Sequence, residues 1–533
     1  MMMLRLASAM LLASVACADL GPSPREDTSA WLSKLEKTIK EKQTEISKLY
    51  GAPESKFSDG VKFYDAKKKQ APLVQRLFRA LVLSGSFVVA VGGMSDVAGH
   101  GNMHADAYPQ VMRDALKPVF DVARVDFDVR NMAMGGVPSF PNSVCMEDNF
   151  GSDLDVVMWD FRMVEHDGTK GELYLRQALM LPNAPFVAFK RDNAYLKGLT
   201  YAHEPAALHV IDEMPMYNFL HKSGNQALAP DNFCRGQCSC PGQVRWHAGW
   251  KMHRFRGLHW GMAYLSYLSE AIAMLREELG KGADLAKLAS DTARWEAMVE
   301  KRAGTSMHKA QDKTLQTAKY ASSTYRCAMT WTPKLGPELK DLVAAAPANA
   351  ARGRRALGKL NALTKWEWSL GDQRVTDVTT KGHRDCNYVD ARAMMMGNTG
   401  SGWIFFKLSD VGLDGTDGGE IAFCGDFPPE KKIADFALVL VNGEEVQNGH
   451  LTKWLESKTL GISSTCYSTT HNVFKGENDL GFRVMKDGHV VKLTHALWSS
   501  GSKGPRLGGH RRLEAPLNAT SVPRAVFTNR TWA

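Results

Sequence analysis

Beyond its first 18 residues the chain has no uncharged apolar run approaching the ~18–20 residues that a membrane-crossing helix requires. A spanning helix is not expected. No Cys-x-x-Cys pair occurs anywhere, so the cysteines do not read as a redox motif or a zinc ribbon. The Gly-rich turn at 92–102 is not followed by Gly-Lys-Ser/Thr, which excludes a phosphate loop. It also lacks the last glycine of Gly-x-Ser-x-Gly, because Val97 stands there, which excludes an α/β-hydrolase elbow. Internal repeats are absent as well.

What remains is a chain of 533 residues, 44% hydrophobic and 23% charged. At about 150 residues per domain that is three or four units with a buried core, not a disordered polymer. Arg5, an apolar stretch from Leu6 to Ala16 and the small residues Ala16-Cys17-Ala18 read as a cleaved secretory leader. Eight further cysteines follow: Cys145, Cys234, Cys238, Cys240, Cys327, Cys386, Cys424 and Cys466. An even number in an exported chain suggests disulfides. The sequons at Asn518 and Asn529 agree with export. The net charge is +9, and residues 501–533 hold six basic side chains against Glu514. That Gly-, Pro- and Ser-containing tail reads as a basic arm, suited to acidic polysaccharide or merely solubilising. Nucleic acid is not an expected partner.

Six segments follow. A leader (1–18) precedes an N-terminal helical region (19–78), in which Leu32, Leu35, Ile39, Ile46 and Leu49 keep a helical rhythm that suits packing on its own domain. Residues 79–280 alternate apolar strands with helices, which predicts a doubly wound parallel sheet covered on both faces. The closing helix is the clearest, with Leu258, Met262, Leu265, Leu268, Ile272, Leu275 and Leu279 spaced by three or four. A helical arm and linker (281–360) leads to an antiparallel β domain (361–500), sandwich-like, with hairpin turns expected at Asn442-Gly443 and Asp487-Gly488. The basic tail (501–533) ends the chain. In open parallel sheets ligands bind at the carboxyl ends of the strands.

There the first strand runs into Gly92-Gly93-Met94-Ser95-Asp96-Val97-Ala98-Gly99-His100-Gly101-Asn102. A serine leaving a strand through such a turn exposes its Oγ beside backbone amides able to hold an oxyanion. The bland reading is a helix-capping serine. Immediately before the closing helix comes Trp246-His247-Ala248-Gly249, where a histidine can swing over the sheet edge and serve as general base. Gly135 and the run Trp159-Asp160-Phe161-Arg162-Met163-Val164-Glu165 lie between them.

This ordered set resembles the SGNH/GDSL hydrolase superfamily, in particular secreted esterase-like proteins of algae and other microbial eukaryotes. Gly93 to Gly99 looks like the block G-D-S-x-x-x-G, Gly135 like the second-block glycine, Trp159 to Glu165 like W-E-x-G-x-N-D, and Trp246 to Gly249 like D-x-x-H-P-G. His253 falls at a second histidine position of the algal forms. The resemblance implies a flavodoxin-like sheet, Ser95 as nucleophile, His247 as base, and the Ser95 and Gly135 amides as oxyanion donors. It implies no cofactor and no metal. Four positions depart from the pattern: Met94 for Asp, Arg162 for Gly, Val164 for the oxyanion-hole Asn, and Val244 for the acid that orients the base. Losing one oxyanion donor costs a factor of about 10²–10³. Asp160, Glu165 and Asp212 are candidate substitute acids, and His100 and Asn102 are expected to line the Ser95 loop. The expected function is removal of O-acyl groups from polysaccharides or glycoconjugates; the alternative is a non-catalytic, glycan-binding surface or matrix protein on the same fold. Trp246, Trp250, Trp260, Trp403 and Trp454 are each either core or sugar platform.

Overall fold

The computed structural model describes residues 28–63, 72–165, 169–183, 185–190, 208–223, 230, 247–285, 287–291, 324–344, 365–369, 390–412, 419–427, 432–459 and 462–499. The leader, the basic tail, both sequons, Val244, Trp246 and four cysteines (Cys234, Cys238, Cys240, Cys386) lie outside them.

The first half is an α/β domain. Its strands are β1 (Val61–Phe63), β2 (Ser86–Gly93), β3 (Asp126–Asn131), β4 (Val156–Asp160), β5 (Phe186–Lys190) and β6 (Leu208–Ile211). They form one sheet in the order β1-β6-β5-β4-β2-β3, in which only β1 runs antiparallel. Strands buried on both faces read as near-continuous apolar runs, and β2, β4 and β5 do, with polar residues only at their ends: Ser86, Asp160 and Lys190. Phe87, Val89 and Val91 point into one core with the helices Thr28–Tyr50, Tyr108–Ala123 and Trp250–Gly280. Val88 and Ala90 point into another with the helix Thr169–Leu179. The N-terminal helix is thus a helix packed on its own domain; Trp31 donates to the Val122 carbonyl and Arg276 pairs with Glu36. The winding reverses between β2 and β4, which opens a crevice outside their carboxyl ends.

The second half is antiparallel. One sheet orders β10 (Glu367–Ser369), β12 (Met394–Gly397), β20 (Val491–Ser499), β14 (Ile421–Asp426), β18 (Ile462–Thr469) and β17 (Thr452–Thr459), with β7 (Tyr325–Met329) also paired to β20. The facing sheet orders β16 (Glu444–Glu445), β15 (Ala437–Val441), β19 (Gly476–Val484), β13 (Trp403–Val411) and β9 (Val343–Ala344). A two-stranded ribbon joins β8 (Trp331–Thr332) to β11 (Ala391–Arg392). Phe406, Phe423, Leu480, Phe482 and Leu493 fill the space between the large sheets.

Two expectations are corrected here. The domain does not begin at 361: β7, β8 and β9 lie ahead of that boundary, within the stretch read as a helical arm, because strands of two to five residues are too short to show a period. Asn442-Gly443 does turn a hairpin between β15 and β16, both residues having positive φ. Asp487-Gly488 instead connects β19 to β20, which belong to different sheets. A turn dipeptide fixes local φ and not the partner of the strand that follows.

The outer face of the β7-containing sheet packs on the α/β domain. Met134, Val137, Phe140 and Leu173 meet Tyr325, Trp331, Trp454 and Leu497 in one buried cluster. Trp454 is therefore interface core, its Nε1–H donated to Ser468 Oγ at 2.7 Å, and it is removed as a sugar platform. Trp260 is likewise fully buried, whereas Trp250 and Trp403 are half-buried. A disulfide between Cys145 and Cys327 crosses the interface, beside Asp148, whose carboxylate takes the Arg326 guanidinium and the Cys327 N–H. A second, Cys424–Cys466, joins directly opposed residues of β14 and β18.

Candidate active site

β2 ends at Gly93, and Ser95 opens the single helical turn Ser95–Ala98. The turn demands glycine at position 93, since a Cβ there would lie 2.3 Å from Val97 Cγ2. Gly99 then leaves the turn at φ +91°, a left-handed conformation that glycine adopts without strain. Ser95 is half-buried while its neighbours on both sides are buried. The segment after β3 runs on beside β2, with Met132 N–H bonding Val91 O and Met134 N–H bonding Gly93 O. That register delivers Gly135 to the end of β2.

His247 sits just ahead of the closing helix Trp250–Gly280, with its Nε2 2.8 Å from Ser95 Oγ. The structure thus brings together residues 152 apart in sequence. The peptide that follows His247 is held from both sides by the serine loop. Asn102 Nδ2 donates to the Ala248 carbonyl at 2.8 Å, and the Ala248 N–H donates to Asp96 Oδ1 at 3.2 Å. Asp96 also pairs with Arg256 of the closing helix. This clamp holds the His247 ring over Ser95.

Burial, helped by nearby His100, pushes His247 down to about 4, against the pull of Asp96 and Asp390. The imidazole is therefore neutral at pH 7, the form able to accept a proton from a hydroxyl. Burial alone would raise Asp96, but the Arg256 guanidinium, with His253, Lys190 and His247 behind it, holds its carboxyl well below the usual range. A pH profile should report the base. Because the ordinary value of 6.5 is lowered to about 4, kcat/KM is expected to stay level as pH falls through 6.5 and to drop only near 4. A decline centred at 6.5 would contradict this placement of His247.

Beneath the pair lies a buried ionic network. Lys190 Nζ reaches Asp160 at 2.8 Å, Tyr108 donates its hydroxyl to Asp160 at 3.1 Å, and Glu213 sits 3.3 Å from Arg256 Nε. Asp160 is thereby committed to structure. His253 accepts the Tyr108 N–H through Nδ1, at 3.2 Å, and is pushed by burial down to about 3. Glu165 holds Ser139 by its N–H (2.5 Å) and Oγ (2.7 Å), with burial pushing it up to about 7. Asp212 accepts the Met214 N–H at the start of a helix. Asp160, Glu165 and Asp212 are thus each engaged with partners other than His247. Arg162 and Met163 are exposed and Val164 packs against the lower core.

The sequence reading missed Asp390 altogether. It stands just before β11 in the second domain, 290 residues from His100, and no local pattern marks it. Its carboxylate reaches the N–H of Gly135 and His100 Nε2. Arg392 of β11 lies over Gly136, where an added Cβ would meet its Nη1 at 3.1 Å. Both domains therefore contribute to the crevice.

No family model and no curated protein matches the chain. Among solved structures it is similar to a two-domain esterase (CEX) active on acetylated mannans, at 12% identity and a TM-score of 0.39, over 84% of this chain and 99% of that one. That esterase co-crystallised with mannopentaose aligns at 12% identity and a TM-score of 0.36, over 84% and 98%.

Proposed function

We propose that the protein is a secreted serine ester hydrolase of SGNH type that removes O-acyl groups from polysaccharides or glycoconjugates. One observation carries the reading: the Oγ of half-buried Ser95 lies 2.8 Å from the Nε2 of a neutral, buried His247 at the carboxyl end of a parallel strand. A capping serine has no need of such a base. In this reading Ser95 attacks the ester carbonyl, His247 takes its proton and returns it to the leaving alkoxide, and water repeats the cycle on the acyl-serine. The glycan class rests on the resemblance of the sequence blocks and on the appended β domain. Export is supported by the leader-like N-terminus and by two disulfides.

The test is covalent. A fluorophosphonate should label the full-length protein once, and peptide mass mapping should place the adduct on Ser95, with hydrolysis of an aryl acetate lost in parallel. Labelling elsewhere, or activity that survives complete labelling of Ser95, would overturn the nucleophile assignment. Glycan binding without turnover is the second reading, and the carboxylate of Asp390 on the Gly135 N–H is what favours it.

A further inference from the structure

Two donors from different segments converge on one anionic oxygen beside the Ser95–His247 pair. The Gly135 N–H reaches Asp390 Oδ2 at 2.8 Å, and His100 Nε2 lies 2.9 Å from that atom and 3.0 Å from Oδ1. A carboxylate only accepts, so His100 Nε2 carries the proton. The His100 and Asp390 side chains are 3% and 7% exposed, which shields these bonds from water and strengthens them. His100 belongs to the nucleophile turn, its own N–H bonded to the Ser95 carbonyl at 2.9 Å. Its ring centroid lies 5.7 Å from that of His247. It rests directly on Gly135, where a Cβ would come within 2.3 Å of His100 Cε1.

The geometry points to His100 as a catalytic residue: its Nε2–H and the Gly135 N–H form the oxyanion hole, and Asp390 occupies that hole as a tethered anion until substrate displaces it. This rests on the ester-hydrolase reading above. As Ser95 Oγ bonds to the carbonyl carbon, the serine proton passes to His247 and the carbonyl π electrons move onto oxygen. That oxygen takes the place of Asp390 Oδ2. Collapse re-forms the carbonyl, breaks the bond to the alkoxy group and returns the proton to it. His100 thus supplies the donor that Val164 cannot. Asp390, carried by the second domain, makes entry to the site a competition between its carboxylate and the neutral carbonyl oxygen of the ester.

Three variants of the full-length protein test this. His100→Phe keeps the ring's bulk without the donor and should lower kcat about 10²–10³-fold with KM changed less than about threefold. His100→Gln keeps an N–H and should recover at least about tenfold over His100→Phe. Asp390→Ala should raise kcat/KM, and acetate should shift the His100 imidazole resonances of Asp390→Ala but not of wild type. The inference is overturned if His100→Phe turns over like wild type, if Gln does no better than Phe, or if acetate leaves His100 in Asp390→Ala unmoved. Hydrolysis that persists when Ser95 itself is removed would instead sink the reading of Ser95 as nucleophile, and the acetate titration stands apart from both because it needs no turnover.

Discussion

Replacing Ser95 with alanine is expected to lower ester turnover by about 10⁴-fold or more while leaving the fold intact. The methyl group fits a half-buried position, and the substitution removes the hydroxyl that lies 2.8 Å from His247 Nε2. His247→Ala should cost nearly as much. The informative result is the double variant. Nucleophile and base act as one unit, so Ser95→Ala with His247→Ala should be no slower than the worse single variant. Losses that multiply in the double variant would mean that the two side chains work independently, and a wild-type rate in Ser95→Ala would remove the nucleophile.

Asp96→Ala should be the most destabilising single change at the site. The Asp96 and Arg256 side chains are 10% and 7% exposed, and deleting the carboxylate leaves the guanidinium buried with only the looser pull of Glu213 and Asp160 among the described residues. Breaking a buried pair in this way costs about 3–5 kcal/mol, because the surviving charge cannot regain water. The same deletion frees the Ala248 N–H, so His247 loses one side of its clamp. Chemical denaturation of the full chain should show the loss, and the surviving folded fraction should show reduced kcat. Asp96→Asn keeps an acceptor for Ala248 but not the charge, and should fall between the two. Since the fold depresses the Asp96 carboxyl, its contribution is present above the ordinary value of 3.8 and is lost as pH falls below it. An unfolding free energy for Asp96→Ala within about 1 kcal/mol of wild type would show that the network relaxes around the gap.

How much of this could be read beforehand follows a physical line. Strands β2, β4 and β5 are legible because burial on both faces forces continuous apolar runs, and the closing helix because one face must be apolar every three or four residues. Ser95 and His247 are legible because each sits at the boundary of such an element. Strands β7 to β9 escape because two to five residues carry no period, and Asp487-Gly488 misleads because a turn does not name the sheet its strand will join.

The sequence by itself determined the buried parallel strands and the closing helix, and where a serine, a glycine and a histidine meet the ends of those elements, since these depend on neighbours a few residues apart. Only the tertiary structure decided that Asp96 and Asn102 grip the peptide after His247, that Trp454 is interface core, and that Asp390 crosses from the second domain onto His100 and Gly135. Hydrogen bonds and buried charges choose partners by distance in space, and 290 residues of intervening chain leave no local pattern by which such a pairing could be read.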